Sequence, residues 1–120
     1  IVDDGDSWWS ALREHTLAFF TDGAEPLWRI AVPAATPMPA LPGRWLLDWG
    51  GAQRWLRSDA DAARIRAAAE RAGGHATLFR GPGDDVFAPL APALQRLHVE
   101  LKQAFDPQRI LNRERMYAGL

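Results

Sequence analysis

The 120-residue chain has no cysteine, which excludes disulfides, thiolate nucleophiles, zinc ribbons and cysteine-ligated iron–sulfur clusters. That absence fits a cytosolic protein. No apolar run approaches eighteen residues, so no segment is expected to span a bilayer as a helix. An excess of one charge is also missing. Fourteen basic residues face fifteen acidic ones, a net charge of −1, and nothing in that balance favours nucleic acid or an anionic membrane as partner. Lysine is nearly absent: Lys102 stands beside 13 arginines and 21 alanines, a bias that reads as a GC-rich genome, with an anion-binding design as the alternative. Three histidines, His15, His75 and His98, share no metal-ligand spacing, and the scattered Ser, His and Asp residues form no recognisable triad. The pairs Asp59/Asp61 and Asp84/Asp85 read as helix-start and loop residues rather than as cation ligands. Neither a catalytic residue nor a metal site is expected.

What is present is an ordinary globular composition, 48% apolar and 24% charged, at a length that gives a single domain over residues 1–120. The chain opens on Ile1 rather than methionine, so a piece of a longer polypeptide is expected. Residues 7–20, SWWSALREHTLAFF, carry helical spacing behind a capping Ser7. Leu27–Val32 reads as a strand framed by Pro26 and Pro33, with Trp28, Ile30 and Val32 on its apolar face and Arg29 turned away. Four prolines among residues 33–42 then predict an extended connection. The segment RWLLDWGGAQRWLR, residues 44–57, predicts a hairpin about Gly50-Gly51. Its register pairs Asp48 with Gln53, Leu47 with Arg54, Leu46 with Trp55 and Trp45 with Leu56, and sets Trp49 opposite Ala52. A helix capped by Ser58 or Asp59 follows, with Ala62, Ile65, Ala69 and Ala72 on one stripe and Gly73-Gly74 as its stop. Ala76–Phe79 reads as a fourth strand, and Leu90, Leu94, Leu97 and Leu101 mark a helix over 89–105. The sum is an α+β fold, an antiparallel sheet with helices packed on one face, of the ferredoxin-like kind.

Two side chains stand out for chemistry. Arg29, an arginine inside an apolar strand, either reaches water or grips a small carboxylate. Of the six tryptophans most belong to the core, and Trp55 is the candidate for an exposed docking aromatic. The glycine-containing segments at 50–52 and 81–84 lack a phosphate-cradling pattern and read as turns.

The tail, Phe105–Tyr117, reads FDPQRILNRERMY and resembles the closing signature of FAD-linked oxidases of the vanillyl-alcohol-oxidase type, FDPxxILNPGR. WWSALREHTLAFF, PLWRIAVP, LLDWGGAQRWL and GGHATLFRG, in this order, resemble more narrowly the FAD-binding E subunits of bacterial glycolate oxidases. The resemblance implies a C-terminal cap domain that packs over the flavin and the substrate side, while an N-terminal domain beyond this chain holds most of the FAD. The activity it implies is oxidation of glycolate, or another small 2-hydroxy acid, to the oxo acid, with electrons passed onward through an iron–sulfur subunit. The implied partners are that subunit and a related flavin subunit. The implied location is cytoplasmic, associated with the inner membrane through those partners. By position, Asn112 matches the family's tail asparagine and Arg115 its basic residue, with Asp106-Pro107 as the preceding turn; the resemblance implies a flavin-side role for Asn112 and Arg115, and a turn-and-cap role for Asp106-Pro107 and Asn112 is the alternative. Arg113-Glu114 stands where the family has Pro-Gly, which puts the tight turn after Asn112 in question. The alternative expectation is a non-catalytic assembly module, docked through the tryptophan hairpin and the Leu90–Leu101 helix.

Overall fold

The computed structural model describes residues 5–83, 85–117 and 119–120; Ile1 and Asp84 lie outside them. Two compact units divide the chain, Ile1–Pro82 and Gly83–Leu120.

The first unit is built on four strands: β1 (Leu27–Ala31), β2 (Arg44–Asp48), β3 (Gln53–Arg57) and β4 (His75–Arg80). They form one sheet in the order β2-β3-β1-β4, every neighbouring pair antiparallel. Two crossovers each step over one strand, which is the split pattern of the ferredoxin-like fold. The second crossover, from β3 to β4, carries helix α3 (Ala62–Arg71). The first, residues 32–43, carries no helix. Its four prolines remove the amide donors that a helix there would need.

The hairpin register is the one its alternation predicts, Asp48 to Gln53 through Arg44 to Arg57. Its connection is longer than two residues. Trp49–Gly51 form a single 3₁₀ turn with positive φ at Trp49, Gly50 and Gly51, so Trp49 and Ala52 leave the ladder. On one face of the sheet, Trp28, Ile30, Leu56, Ala76 and Leu78 meet Ile65 and Ala69 of α3. The small alanine stripe of α3 lets its backbone approach the strands, and burying Ile65 alone contributes roughly 1.5–3 kcal/mol. The cap of α3 is neither Ser58 nor Asp59 but Asp61, whose carboxylate accepts from the amides of Ala63 and Arg64. Ser58 instead donates to the Pro42 carbonyl and so ties down the end of the proline-rich crossover. Gly73, at φ 73°, closes the helix, with the amides of Gly73 and Gly74 returning to Glu70 and Ala69.

The helix expected over 7–20 is broken in two, α1 (Gly5–Arg13) and the single turn α2 (Ala18–Thr21). The amides of His15 and Thr16 turn back to the carbonyls of Leu12 and Ala11, and His15 takes φ 55°, a left-handed helix stop. Ring contacts compensate for a conformation that a non-glycine residue disfavours. The imidazole stacks on Phe20 at 4.2 Å and meets Trp55 and Phe79 edge-on at 4.8 and 5.2 Å. The break lets Leu12 and Phe20 cover Leu27 and Trp55 at one end of the face opposite α3.

In the second unit, helix α4 (Pro92–Phe105) begins later than the predicted Pro89, with Pro92 in its first turn. Among the described residues no helix is long and apolar enough to cross a membrane.

Candidate functional site

Strand β3 carries two arginines, Arg54 and Arg57, that the hairpin pattern does not single out, and both are buried. Arg54 lies on the α3 face. Its Nε donates to Gly51 O at 2.9 Å, and its terminal nitrogens donate to the carbonyls of Pro37 (3.2 Å) and Thr36 and touch the Met38 sulfur. Arg57 lies on the opposite face and donates to the carbonyls of Phe19, Phe20, Gly23 and Glu25. One arginine thus holds the helix-free crossover and the other the loop behind α2. The planar guanidinium, with five donors in a fixed fork, suits this bridging of several carbonyls. The signal available in the sequence was their strict position in a central strand that alternates Arg54, Trp55, Leu56, Arg57.

Arg29 is different. It sits mid-strand on β1, exposed, on the sheet face opposite α3, and makes no hydrogen bond or ion pair with any described residue. The register sets Leu46, Trp55, Arg29 and Thr77 in one row straight across the four strands. Ala31 and His75 follow in the next row. The face therefore offers a free guanidinium between a buried indole and a mostly buried hydroxyl residue, Thr77. A guanidinium in this setting can take a small carboxylate in two-point fashion.

Trp55 is not an exposed docking aromatic: it is 3% exposed, packed by Phe20, His15 and Phe79. The exposed tryptophan of the hairpin is Trp49, at 76%, because the 3₁₀ turn lifts it out of the ladder. His15 has its pKa lowered, first by burial among those rings and second by the nearby Arg80 charge. His75 is exposed, and His98 sets Nδ1 2.7 Å from the Leu94 carbonyl within α4. Among the described residues no three His, Asp or Glu side chains gather as metal ligands.

In the second unit Asp106 organises the tail. Its carboxylate accepts from the amides of Ile110 (3.0 Å) and Leu111 (2.9 Å) and pairs with Lys102 at 2.7 Å. The Lys102 contact, helped by the two amides, lowers its pKa to about 2. Asn112 (φ 44°) and Arg115 are exposed and belong to one turn, the Arg115 amide donating to Asn112 O at 3.3 Å. Glu114, at the position where the family pattern has glycine, adopts φ 53°. The tight turn after Asn112 is kept without Pro-Gly, at the cost of a left-handed glutamate. Asn112 and Arg115 come together in this turn, while Arg29 belongs to the other unit.

These residues do not by themselves enclose a dinucleotide. Arg29, Asn112 and Arg115 are all exposed, and Gly50-Gly51 ends a hairpin rather than opening a helix.

No protein-family model matches the chain, and no solved structure does. Over 112 residues the chain is 51% identical to the glycolate oxidase subunit GlcE of Escherichia coli (strain K12), a stretch that takes in 93% of this chain. The resemblance read from its opening, strand, hairpin and tail phrases thus extends over nearly its whole length. The chain spans 31% of the length of that curated relative, and what it is similar to is therefore about a third of a glycolate oxidase subunit.

Proposed function

We propose that this chain is the C-terminal cap region, residues 1–120, of a flavin-dependent 2-hydroxy-acid oxidoreductase subunit acting on glycolate to give glyoxylate. The observation that carries the reading is the 51% identity over 93% of the chain to a glycolate oxidase subunit. FAD is held mainly by an N-terminal domain, and this chain contributes Arg29 to the substrate carboxylate and the Asn112–Arg115 turn to the flavin-side edge. The free guanidinium of Arg29, on the sheet face that α3 leaves open, supports the first role. The partners are a related flavin subunit and an iron–sulfur subunit, and the location is cytoplasmic, at the inner membrane through those partners. The chain alone binds FAD poorly and turns nothing over.

The test is Arg29→Leu in the complete complex. Losing a charge-assisted contact to a carboxylate costs about 1.5–3 kcal/mol, which is a tenfold or greater rise in the apparent KM for glycolate. An unchanged KM makes Arg29 a surface residue and removes it from the site.

A second reading, an assembly module, is favoured by one observation. The α4 residues Leu94, Leu97 and Leu101 are about half exposed, and Phe105 is 83% exposed. Under that reading Leu97→Asp breaks copurification of the partner subunits while flavin content stays intact. Retained copurification removes it.

A further inference from the structure

Because the first crossover has no helix, the α3 face of the sheet is covered on one side by α3 and on the other only by an extended segment. Between them lies a cleft of about 350 Å³, within the range of small-ligand sites. Its floor and walls are mostly apolar: Ile30 from β1 and Val32 just after it, Trp45 from β2, Leu41 from the crossover, and Ala68 and the C-cap Ala72 of α3. Only two charged side chains line it, Arg54 and Arg71, and no acidic residue does. Arg54 is 3% exposed. Its guanidinium, with five N–H donors, makes four contacts, to three carbonyls and one thioether sulfur, a weak acceptor, and no carboxylate pairs with it among the described residues. Arg71 is exposed at the end of α3. A buried cation satisfied only by neutral acceptors, beside an apolar void, has a complement of definite chemistry: an anionic head on an apolar body.

We propose that this cleft binds a small carboxylic acid with an aryl or branched-alkyl body, its carboxylate toward Arg54 and Arg71. The ligand is distinct in kind from glycolate, which has no apolar part to fill the cleft. The site lies on the face of β1 opposite Arg29, so it is independent of the proposed substrate side.

The experiment uses the full-length polypeptide containing this chain, purified in its complex, with 4-phenylbutyrate and its neutral amide, 4-phenylbutanamide, as probes. Ligand-observed NMR titration should show saturable binding of the acid and at least tenfold weaker binding of the amide. Ala68→Phe, which fills the cleft, should abolish binding. Arg71→Gln, at an exposed helix end where folding is not at stake, should weaken the acid at least threefold and leave the amide unmoved. Arg29→Leu should change neither. Absence of saturable binding, equal affinity for acid and amide, or an unaltered affinity in Arg71→Gln would each overturn the proposal.

Discussion

Replacing Arg57 by methionine tests the packing most directly, because this side chain ties α2 and the loop that follows it to β3. Its guanidinium donates to four backbone carbonyls, those of Phe19, Phe20, Gly23 and Glu25. At about 1.5 kcal/mol for each hydrogen bond from a charged donor, the set is worth roughly 6 kcal/mol. Methionine fills much of the same volume and removes a buried charge whose desolvation costs several kcal/mol, so about half of that sum is recovered. The expected net loss is about 3 kcal/mol, a large part of the roughly 5–15 kcal/mol available to a domain. Arg57→Lys keeps the charge but replaces a five-donor fork by a single three-donor centre, and should lose about 1.5 kcal/mol. Arg29→Met, on the same face but without partners, should change stability by less than about 0.5 kcal/mol. Urea unfolding followed by tryptophan fluorescence gives these differences, and hydrogen exchange locates them: the Asp22 amide, bonded to Ala18 O, should lose protection in Arg57→Met. Stability within 0.5 kcal/mol of the parent in Arg57→Met, or full rescue by lysine, would refute the assignment of this arginine as a staple.

Three further outcomes follow from local geometry. Gly74→Ala should cost about 2–3 kcal/mol, since a Cβ there meets the Ala31 carbonyl and Val32, whereas Gly50→Asn, with open space and φ 62°, should stay within about 0.5 kcal/mol; thermal unfolding compares the two. Asp106, depressed from 3.8 to about 2, favours the folded tail in its ionised form, so its contribution is complete above about pH 4 and is lost as pH falls through about 2. Protection of the Ile110 and Leu111 amides should follow that titration, and in Asp106→Asn the dependence should vanish. Glu114→Gly, relieving φ 53°, should stabilise the turn by about 0.5–1 kcal/mol, read as slower exchange of the Arg115 amide; faster exchange would contradict the strain assigned to Glu114.

Much of this architecture is legible in the sequence because period and punctuation agree there. Alternation in RWLLDWGGAQRWLR sets the hairpin register, and the alanine stripe with Gly73-Gly74 sets α3 and its end. Alternation in LWRIAV likewise turns Arg29 out of the core. What was not legible depends on contacts between distant segments. The break after α1 rests on His15 finding Phe20, Trp55 and Phe79, three residues contributed by α2, β3 and β4. The burial of Arg54 and Arg57 rests on carbonyls supplied by the crossover and the α2–β1 loop, neither of which local spacing can place. Trp55, expected exposed, is buried because His15, Phe20 and Phe79 from other segments close over it, and the exposed indole of the hairpin is Trp49, lifted out by the 3₁₀ turn. In the tail, the motif survives a change of residue type: Glu114 holds a glycine-like conformation, so the turn joining Asn112 to Arg115 persists without the Pro-Gly that normally announces it.

The most direct test of the central claim is to purify the native protein from its source with an antibody raised against residues 1–120, and to record its mass and visible spectrum. The expected result is a polypeptide much heavier than the 13.3 kDa of this chain, carrying flavin absorbance and copurifying with partner subunits. A colourless native chain of about this mass would contradict it.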